Sequence, residues 1–263
     1  MRNKFLLAAL VMIWATPLYA AHPLITDDTG TQGKGHFLLE INSELSNNKQ
    51  VSQGIALTAY DNKAAVSLSC GLSDNIDLVA GLPVQWSRLK VGDTLASDAK
   101  GAGDLTLEVK YRFFENHDSG LSFALKPGVS LPVGNESKGF GNGAMSGDLM
   151  LISTYERKLC SFYGNIGYTR NAYGLEQDKL TLRTGIWQAS LAAVLNVTTH
   201  IRSVADIGLE TNSSKDSGIN PAYLIGGVIY GVSNNLDLDF GIKRGLNRAE
   251  ADSAVMAGMA LKF

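Results

Sequence analysis

Alternation of apolar and polar residues along most of the chain is the feature that most limits how it can fold. Between Asp104 and Phe114, the odd positions from 105 to 113 are all apolar and the even positions from 104 to 112 are all polar or charged. Successive side chains of a β-strand point to opposite faces, so this period of two predicts a strand with one apolar face. The pattern recurs in residues 253–263, which end in Phe263. It predicts an all-β chain.

Applied throughout, the alternation predicts about twelve strands. We place them near residues 36–46, 62–72, 75–87, 103–114, 119–132, 146–158, 160–171, 183–196, 200–211, 221–232, 235–245 and 253–263. Their connections alternate between short turns, such as 73–75, and longer polar loops, which include 46–61 and 87–102. Residues 51–60 are ambiguous and would alternatively extend the second strand. An even strand count with short turns on one side and long loops on the other is typical of bacterial membrane barrels.

The N-terminus has the pattern of a secretory signal peptide over residues 1–20. Arg2 and Lys4 precede an apolar run over residues 5–14, and a small-residue cleavage site precedes Ala21. That run is too short to span a bilayer, and no later stretch approaches the roughly eighteen apolar residues that a membrane helix needs. Residues 21–35 have no period and many turn residues, which predicts a periplasmic or lumenal extension. A mature chain that enters the membrane must then do so as a closed barrel.

We therefore predict a closed antiparallel up-and-down transmembrane β-barrel over residues 36–263, with its last strand paired to residues 36–46. Alternation alone is also compatible with a soluble barrel, in which the apolar faces would point inward and the charged faces would point to water. The membrane orientation is favoured by the signal peptide, by the charges on the polar faces and by aromatic residues near strand ends. We assign Trp86, Tyr168 and Trp187 to the long-loop side, and Phe113, Phe162 and Phe263 to the short-turn side. Aromatic packing in a core is the alternative explanation for these residues.

In the membrane orientation the charged residues on the polar faces line the lumen, among glycines that occupy little room. The candidates are Glu40, Asp77, Asp104, Glu108, Lys110, Arg112, Lys126, Asp148, Glu156, Arg202, Asp206, Glu210, Asp237, Asp239 and Lys243. Barrels of about eight strands are filled by side chains, and those of sixteen or more enclose an open channel. A twelve-stranded barrel is expected to have a narrow lumen, obstructed by paired charges or by residues 21–35.

Other classes of function find little support in the sequence. The formal charge of -2 indicates no nucleic-acid partner. No Gly-x-Ser-x-Gly or His-Glu-x-x-His motif is present, so we predict no enzyme, no catalytic residue and no cofactor. Cys70 and Cys160 are expected on strands that are not neighbours, which leaves a disulfide open but disfavoured, and without a histidine cluster they predict no metal site.

Three segments resemble a known family. Residues 23–40, 71–83 and 103–113 are similar to the proteins of the putative MetA-pathway of phenol degradation family. The resemblance implies an outer-membrane barrel in a Gram-negative envelope, of a kind often described as a transporter and sometimes linked to uptake of aromatic compounds. It carries over no binding residue.

These observations predict a passive outer-membrane channel or transporter for small solutes, with hydrophobic or aromatic compounds as candidates. Glu108, Lys110, Arg112, Lys126 and Asp206 would set its selectivity. The alternative is a structural or adhesive barrel with a plugged lumen, whose extracellular loops bind a partner. In either case the expected partners are the lipid bilayer and the barrel-assembly machinery, with Phe263 as the assembly signal. The solute itself is not identified.

Overall fold

The structure is a computed structural model that describes residues 22–52 and 55–263. The predicted signal peptide, residues 1–20, and the predicted mature start at Ala21 lie outside the described residues. The strands are β1 (Phe37–Ser52), β2 (Ile55–Ser73), β3 (Ile76–Val91), β4 (Thr94–Ala102), β5 (Leu105–Asn116), β6 (Leu121–Leu131), β7 (Ser146–Glu156), β8 (Cys160–Arg170), β9 (Gly185–Asn196), β10 (Ile201–Glu210), β11 (Ala222–Gly231), β12 (Leu236–Gly245) and β13 (Ser253–Lys262). Two short helices, a 3-10 turn at Glu136–Lys138 and α1 at Glu176–Thr181, lie in connections.

Twelve of the strands close into one antiparallel barrel. Neighbouring strands pair in the order β1, β2, β3, β5 and onward to β13, which returns to pair with β1. At this closure Leu38 lies opposite Lys262 and Asn47 lies opposite Ser253. Each predicted strand has a counterpart, and the predicted pairing of the last strand with the first is confirmed.

The remaining strand, β4, corrects the prediction that residues 87–102 form a polar loop. Val84 to Val91 of β3 pair with Thr94 to Ala102 of β4 around a turn at Gly92, whose φ of 59° suits glycine. Residues 46–61 were also expected to form a loop, with 51–60 as an alternative extension of the second strand. The structure has the alternative for residues 55–60, which begin β2, and β1 extends to Ser52. Polarity in these segments reflects exposure to water beyond the membrane, which does not prevent strand pairing. The nineteen residues of β2 span about 60 Å, well beyond the length of a tilted membrane strand.

The two ends of the barrel differ as predicted. At one end, here called the short-turn end, the connections 74–75, 117–120, 157–159, 197–200 and 232–235 have two to four residues. At the other, the long-loop end, the connections include 132–145, 171–184, 211–221 and 246–252. The chain therefore keeps the parity of turns and loops that up-and-down membrane barrels show.

The apolar faces of the strands point outward. In β12, Leu238, Phe240 and Ile242 are 45–49% exposed, whereas Asp237 and Asp239 are buried in the interior. A soluble barrel would have the reverse arrangement, so the faces are those of a transmembrane barrel. No helix in the described part of the chain is long and apolar enough to cross a membrane.

Exposed aromatic residues gather near both ends of the barrel. At the short-turn end, the rings of Phe37 and Phe263 stack with their centroids 5.5 Å apart, and Phe113 stacks on Phe123 at 6.3 Å. At the long-loop end, Tyr168 and Trp187 lie 4.8 Å apart, and Trp187 is 59% exposed. Such pairs are what two interfacial aromatic belts contain, because their rings tolerate both lipid and water.

Candidate functional site: the barrel lumen

Residues 22–35, here called the lumen segment, lie inside the barrel. From His22 the segment passes along the inner wall and leaves the lumen at the short-turn end, where Gly35 N donates to Gly71 O at 2.8 Å and β1 begins. Its contacts with the wall are, in chain order, with β12, β10, β5 and β6, β7, β3 and β2. It therefore fills the short-turn half of the lumen.

The middle of the lumen segment is bound by the carboxylate of Asp206, which accepts hydrogen bonds from backbone N–H groups of the segment. Asp206 of β10 accepts hydrogen bonds from the backbone N–H groups of Ile25 and Thr26, at 2.7 and 2.8 Å, and from the Thr26 hydroxyl at 2.8 Å. Asp206 and Thr26 are both buried. Buried backbone N–H groups need hydrogen-bond partners. Because the lumen segment is not paired with a strand, this inward carboxylate provides the acceptors that a neighbouring strand would otherwise provide.

Inward-facing glycines make room for the lumen segment. A Cβ atom on Gly227 of β11 would lie 2.7 Å from Pro23, and one on Gly241 of β12 would lie 2.8 Å from it. On β2, a Cβ atom on Gly71 would lie 1.8 Å from the carbonyl oxygen of Gly33. The structure gives the role of these three glycines: they let the segment approach the wall.

On one side of the lumen the segment is held by charge. Asp27 lies 2.8 Å from Lys110 of β5 and 3.0 Å from Lys126 of β6, and Lys126 also lies 3.4 Å from Glu108. The side chains of Asp27, Lys110 and Lys126 are 18%, 12% and 13% exposed. Burial by itself would raise the pKa of Asp27, but the two ammonium groups outweigh it and hold that pKa well below its usual range.

Beside this ion cluster is a cavity of about 250 Å³. It lies between the lumen segment and strands β1, β2, β3, β5 and β6, and Glu40, Ser67, Thr106 and Glu108 contribute to its polar wall. We call this part of the lumen the cavity side. Lys110 and Lys126 are paired here with Asp27 and Glu108, whereas two other carboxylates of the lining, Glu40 and Asp77, accept hydrogen bonds from neutral groups.

The opposite part of the lumen, here called the packed side, contains two apolar clusters beside the buried carboxylate of Asp206. Leu24 of the lumen segment is 6% exposed and belongs to one buried cluster with residues of β9, β10 and β11. The other members of the cluster are Ala192, Val194, Val204 and Ile229. A second cluster joins Tyr223 and Ile225 of β11 to Met256 of β13. The sequence analysis expected a lumen lined by charges and glycines, and here the wall is instead closed by apolar packing.

Several predicted lumen-lining residues contact the lumen segment or its surroundings. Asp77 accepts from Gln32 N at 3.0 Å, and Asp239 pairs with His22. Other inward charges pair across strands: Arg202 with Asp237, and Lys243 with Glu44 at 2.5 Å and with Glu250 at 3.3 Å. The lumen therefore contains ion pairs together with carboxylates, such as Asp77 and Asp206, that accept from neutral donors of the lumen segment.

Three of the predicted lumen-lining residues lie near the ends of the barrel. Asp104 accepts from the backbone of Gly134 and Asn142 at 3.0 and 2.8 Å, which anchors the connection between β6 and β7. Arg112 lies 3.4 Å from Glu115 near the short-turn end. Glu210, the last residue of β10, is exposed. Asp104 and Glu210 therefore lie away from the lumen segment, whereas Arg112 donates to Asp74 O, which also accepts from the hydroxyl of Thr31 in the segment.

Among the remaining candidates, Glu40 accepts a hydrogen bond from the Ser67 hydroxyl at 3.2 Å in the wall of the cavity. Glu40, Asp148 and Glu156 are half-buried on inward faces of β1, β7 and β7. The residues that the sequence analysis did not single out are those of the lumen segment itself, above all His22, Leu24, Thr26 and Asp27. They carry no periodic signal, because a segment held by side chains of the wall needs no repeating pattern.

Metal and cysteine chemistry is also limited in the described part of the chain. No group of three or more His, Cys, Asp or Glu residues there is arranged to hold a metal ion. Cys70 on β2 and Cys160 on β8 are both free. The two strands are not neighbours in the barrel, as predicted.

Comparisons with known proteins agree with this architecture. Among solved structures, an outer membrane channel from Pseudomonas putida F1 matches with a TM-score of 0.70 at 15% identity, covering 90% of this chain and 98% of that chain. The translocator domain of the autotransporter NalP from Neisseria meningitidis matches with a TM-score of 0.54 at 12% identity, covering 88% and 89%. These likenesses concern the fold, which is one that bacterial outer-membrane proteins adopt.

The comparison with curated proteins found no match. The model of a protein family, in contrast, matches residues 26–263, which include nearly all of the described chain. The match covers most of the lumen segment as well as every strand of the barrel. The chain belongs to the family described as "Putative MetA-pathway of phenol degradation".

Proposed function

We propose that the chain is a passive outer-membrane channel for small solutes. The observation that carries the proposal is the polar cavity of about 250 Å³ enclosed between the lumen segment and the wall of a closed barrel. Because its apolar face points outward, such a barrel inserts into a lipid bilayer. The lumen is then the path through which a solute would cross the bilayer. The short-turn end faces the periplasm in this proposal and the long-loop end faces the outside.

The cavity favours small solutes that carry no negative charge. Its volume is below the roughly 300 to 1,000 Å³ of pockets that hold drug-sized ligands. Lys110 and Lys126 are paired with Asp27, and Lys126 also with Glu108, so neither lysine offers a free charge to an ion. Phenol and related small aromatic compounds meet these limits, and the description of the family names phenol degradation. Selectivity would depend on the paired lysines together with the carboxylates of Glu40 and Asp77, which accept hydrogen bonds from neutral groups.

The lumen segment would act as the gate. It fills the short-turn half of the lumen, so a solute that passes the cavity must displace part of it. Its contacts with the wall are hydrogen bonds, ion pairs and the packing of Leu24 rather than strand pairing, which makes local displacement possible without opening the barrel.

A structural or adhesive barrel is the second candidate, and the filled short-turn half is the observation that favours it. In that case the lumen segment would be a permanent plug, and the long loops would bind an external partner. The two functions differ in a direct measurement, since only a channel passes solutes.

The test is conductance in planar bilayers together with uptake of phenol into liposomes by the purified, folded protein. We expect uptake above that of empty liposomes, and we expect Ser67→Phe, which fills the cavity, to reduce uptake several-fold. Ser233→Phe, in an exposed turn at the short-turn end, is the matched control and should leave uptake unchanged. If the folded wild-type barrel shows no conductance and no uptake, the channel is refuted and the plugged barrel is favoured.

We also propose that Phe263 is the signal read by the barrel-assembly machinery. In support, Phe263 and Phe37 exchange two backbone hydrogen bonds at 2.8 and 3.0 Å, so the last residue lies at the seam where the barrel closes. Deletion of Phe263 should strongly reduce the amount of folded barrel in the outer membrane, measured by heat-dependent mobility in gels. Normal assembly of the shortened chain would contradict this role.

A further inference from the structure

An aromatic side chain of a long loop packs against the wall of the barrel. Phe140 belongs to the connection 132–145 between β6 and β7, yet it is only 6% exposed. A Cβ atom on Gly101 of β4 would lie 2.9 Å from Cδ2 of its ring, and one on Gly103 would lie 3.2 Å from its carbonyl oxygen. The two glycines therefore leave the room that Phe140 occupies.

The pairing of β3 shows that Gly101 points into the lumen. Along β3, Gly81 lines the cavity, and Pro83 and Gln85 follow it on the same face in steps of two residues. Gln85 lies opposite Gly101 on β4. Because residues directly opposite each other on antiparallel strands share a face, the ring packed on Gly101 lies on the inner side of the wall.

This position is between the cavity and the long-loop end of the barrel. Gly81 of β3 and Thr106 of β5 lie opposite each other, and both line the cavity. Gln85 and Gly101 lie four residues further along β3 toward the long-loop end, about 13 Å at 3.3 Å per residue. The lumen segment fills the short-turn half of the lumen, so the cavity is approached from the long-loop end. Along this part of the wall, that approach passes Phe140.

The carboxylate of Asp104 holds the connection in this position. Its Oδ1 atom accepts from Gly134 N at 3.0 Å, and its Oδ2 atom accepts from Asn142 N at 2.8 Å. The two donors lie on either side of Phe140 in the chain, so one carboxylate binds both arms of the bend that carries the ring. Phe140 N donates to Asn135 O at 3.0 Å, which closes the bend.

We propose that Phe140 caps the cavity from the long-loop end and limits which solutes enter it, with Asp104 as the positioning residue. An apolar ring at this point disfavours hydrated ions and tolerates small aromatic solutes, with which it can stack. The lumen segment is then the inner barrier of the path and Phe140 the outer one. For solute entry this inference rests on the proposed channel function, whereas the closure of the cavity itself does not.

The first experiment measures access to the cavity without using transport. Thr106→Cys places a thiol in the cavity wall of a chain whose two native cysteines are replaced by serine, and a small, charged methanethiosulfonate reagent is added to the folded protein. We expect Phe140→Ala to speed modification of this thiol about fivefold or more, since access in the parent requires local displacement of the cap. Phe162→Ala is the matched control, because Phe162 is 50% exposed near the start of β8 at the short-turn end, and the rate should not change.

Two variants of Asp104 test the positioning role. Asp104→Ala removes both acceptors and should speed modification of the thiol as Phe140→Ala does. Asp104→Asn keeps one acceptor oxygen and should speed it less. Heat-dependent mobility confirms that each variant is a folded barrel. An unchanged rate in both Asp104 variants would overturn the positioning role, and an unchanged rate in Phe140→Ala would overturn the cap.

Uptake of phenol into liposomes then separates this inference from the channel function. We expect Phe140→Ala to raise uptake several-fold over the wild type. If the wild type passes no solute but Phe140→Ala still speeds modification of the thiol, the channel is refuted and the cap stands. If the wild type passes phenol and Phe140→Ala changes neither modification nor uptake, the cap is refuted and the channel stands.

Discussion

The cavity side and the packed side of the lumen hold the same segment by different physical means. On the cavity side, Asp27 forms ion pairs with Lys110 and Lys126, and a volume of about 250 Å³ remains next to them. On the packed side, Leu24 is enclosed by small apolar residues of β9, β10 and β11. Apolar side chains can fill space closely, whereas hydrated or paired charges need room and specific geometry. The route for a solute is therefore expected on the cavity side.

Removal of the lumen segment should have the largest effect, because it abolishes both sides at once. Deletion of residues 22–33 is expected to raise single-channel conductance several-fold, since a twelve-stranded barrel without its filling leaves a wider lumen. Deletion of residues 213–219, in a connection at the long-loop end, is the control and should change conductance little. An unchanged conductance after the first deletion would show that the segment does not limit the path.

The cavity side should be the more sensitive to a single substitution. Asp27→Asn leaves Lys110 and Lys126 buried without their shared carboxylate, and breaking such a pair costs about 3 to 5 kcal/mol. We expect a loss of this order in the free energy of unfolding, measured by urea titration in detergent. The double variant Asp27→Asn/Lys126→Met removes one of the orphaned charges and should recover part of the loss. A loss below about 1 kcal/mol would mean that these ions are hydrated like surface pairs.

The same ion cluster makes a prediction about pH. Because the lysines lower the pKa of Asp27 in the folded state, its contribution to stability is fully present above the unfolded pKa of about 3.9. That contribution is lost as the pH falls through the lower, folded pKa. The stability difference between wild type and Asp27→Asn should therefore be constant from about pH 5 to 8 and shrink only in strong acid. A difference that changes near neutral pH would assign the effect to another group.

On the packed side, Leu24→Ala should cost less, about 2 to 3 kcal/mol, which is the lower part of the range for buried leucines. The lower value is expected because the short segment can partly collapse onto Ala192 and Val194. The same urea titration measures it. Leu180→Ala, in α1 and 72% exposed, is the matched control and should stay within about 0.5 kcal/mol of wild type.

The smallest effect is expected outside the lumen. Arg88 and Asp98 pair at 2.7 Å across the hairpin of β3 and β4, but their side chains are 53% and 46% exposed. Arg88→Ala should change the free energy of unfolding by about 0 to 1 kcal/mol, because exposed ion pairs are screened by water. Conductance should not change. A large effect on conductance would place this hairpin on the solute path.

The architecture of the barrel was readable from the sequence because it depends on a local, repeating signal. Strict alternation in residues 104–114 predicts β5, and the parity of short and long connections predicts an up-and-down barrel closed by β1 and β13. The same signal misassigned residues 87–102, since a hairpin that projects into water has no apolar face. The inward direction of Asp206 and Asp239 likewise followed from strand parity.

What occupies the lumen was decided only by tertiary structure. Residues 22–35 have no period, and their contacts join residues up to 217 positions apart, such as Thr26 with Asp206 and His22 with Asp239. The division into a cavity side and a packed side depends on which inward residues meet across the closed barrel. Alternation predicts only that these residues point inward. The sequence by itself determined the strands that form the wall of the barrel. How the lumen segment fills the lumen was decided by the tertiary structure, because the contacts of the segment exist only after the barrel has closed.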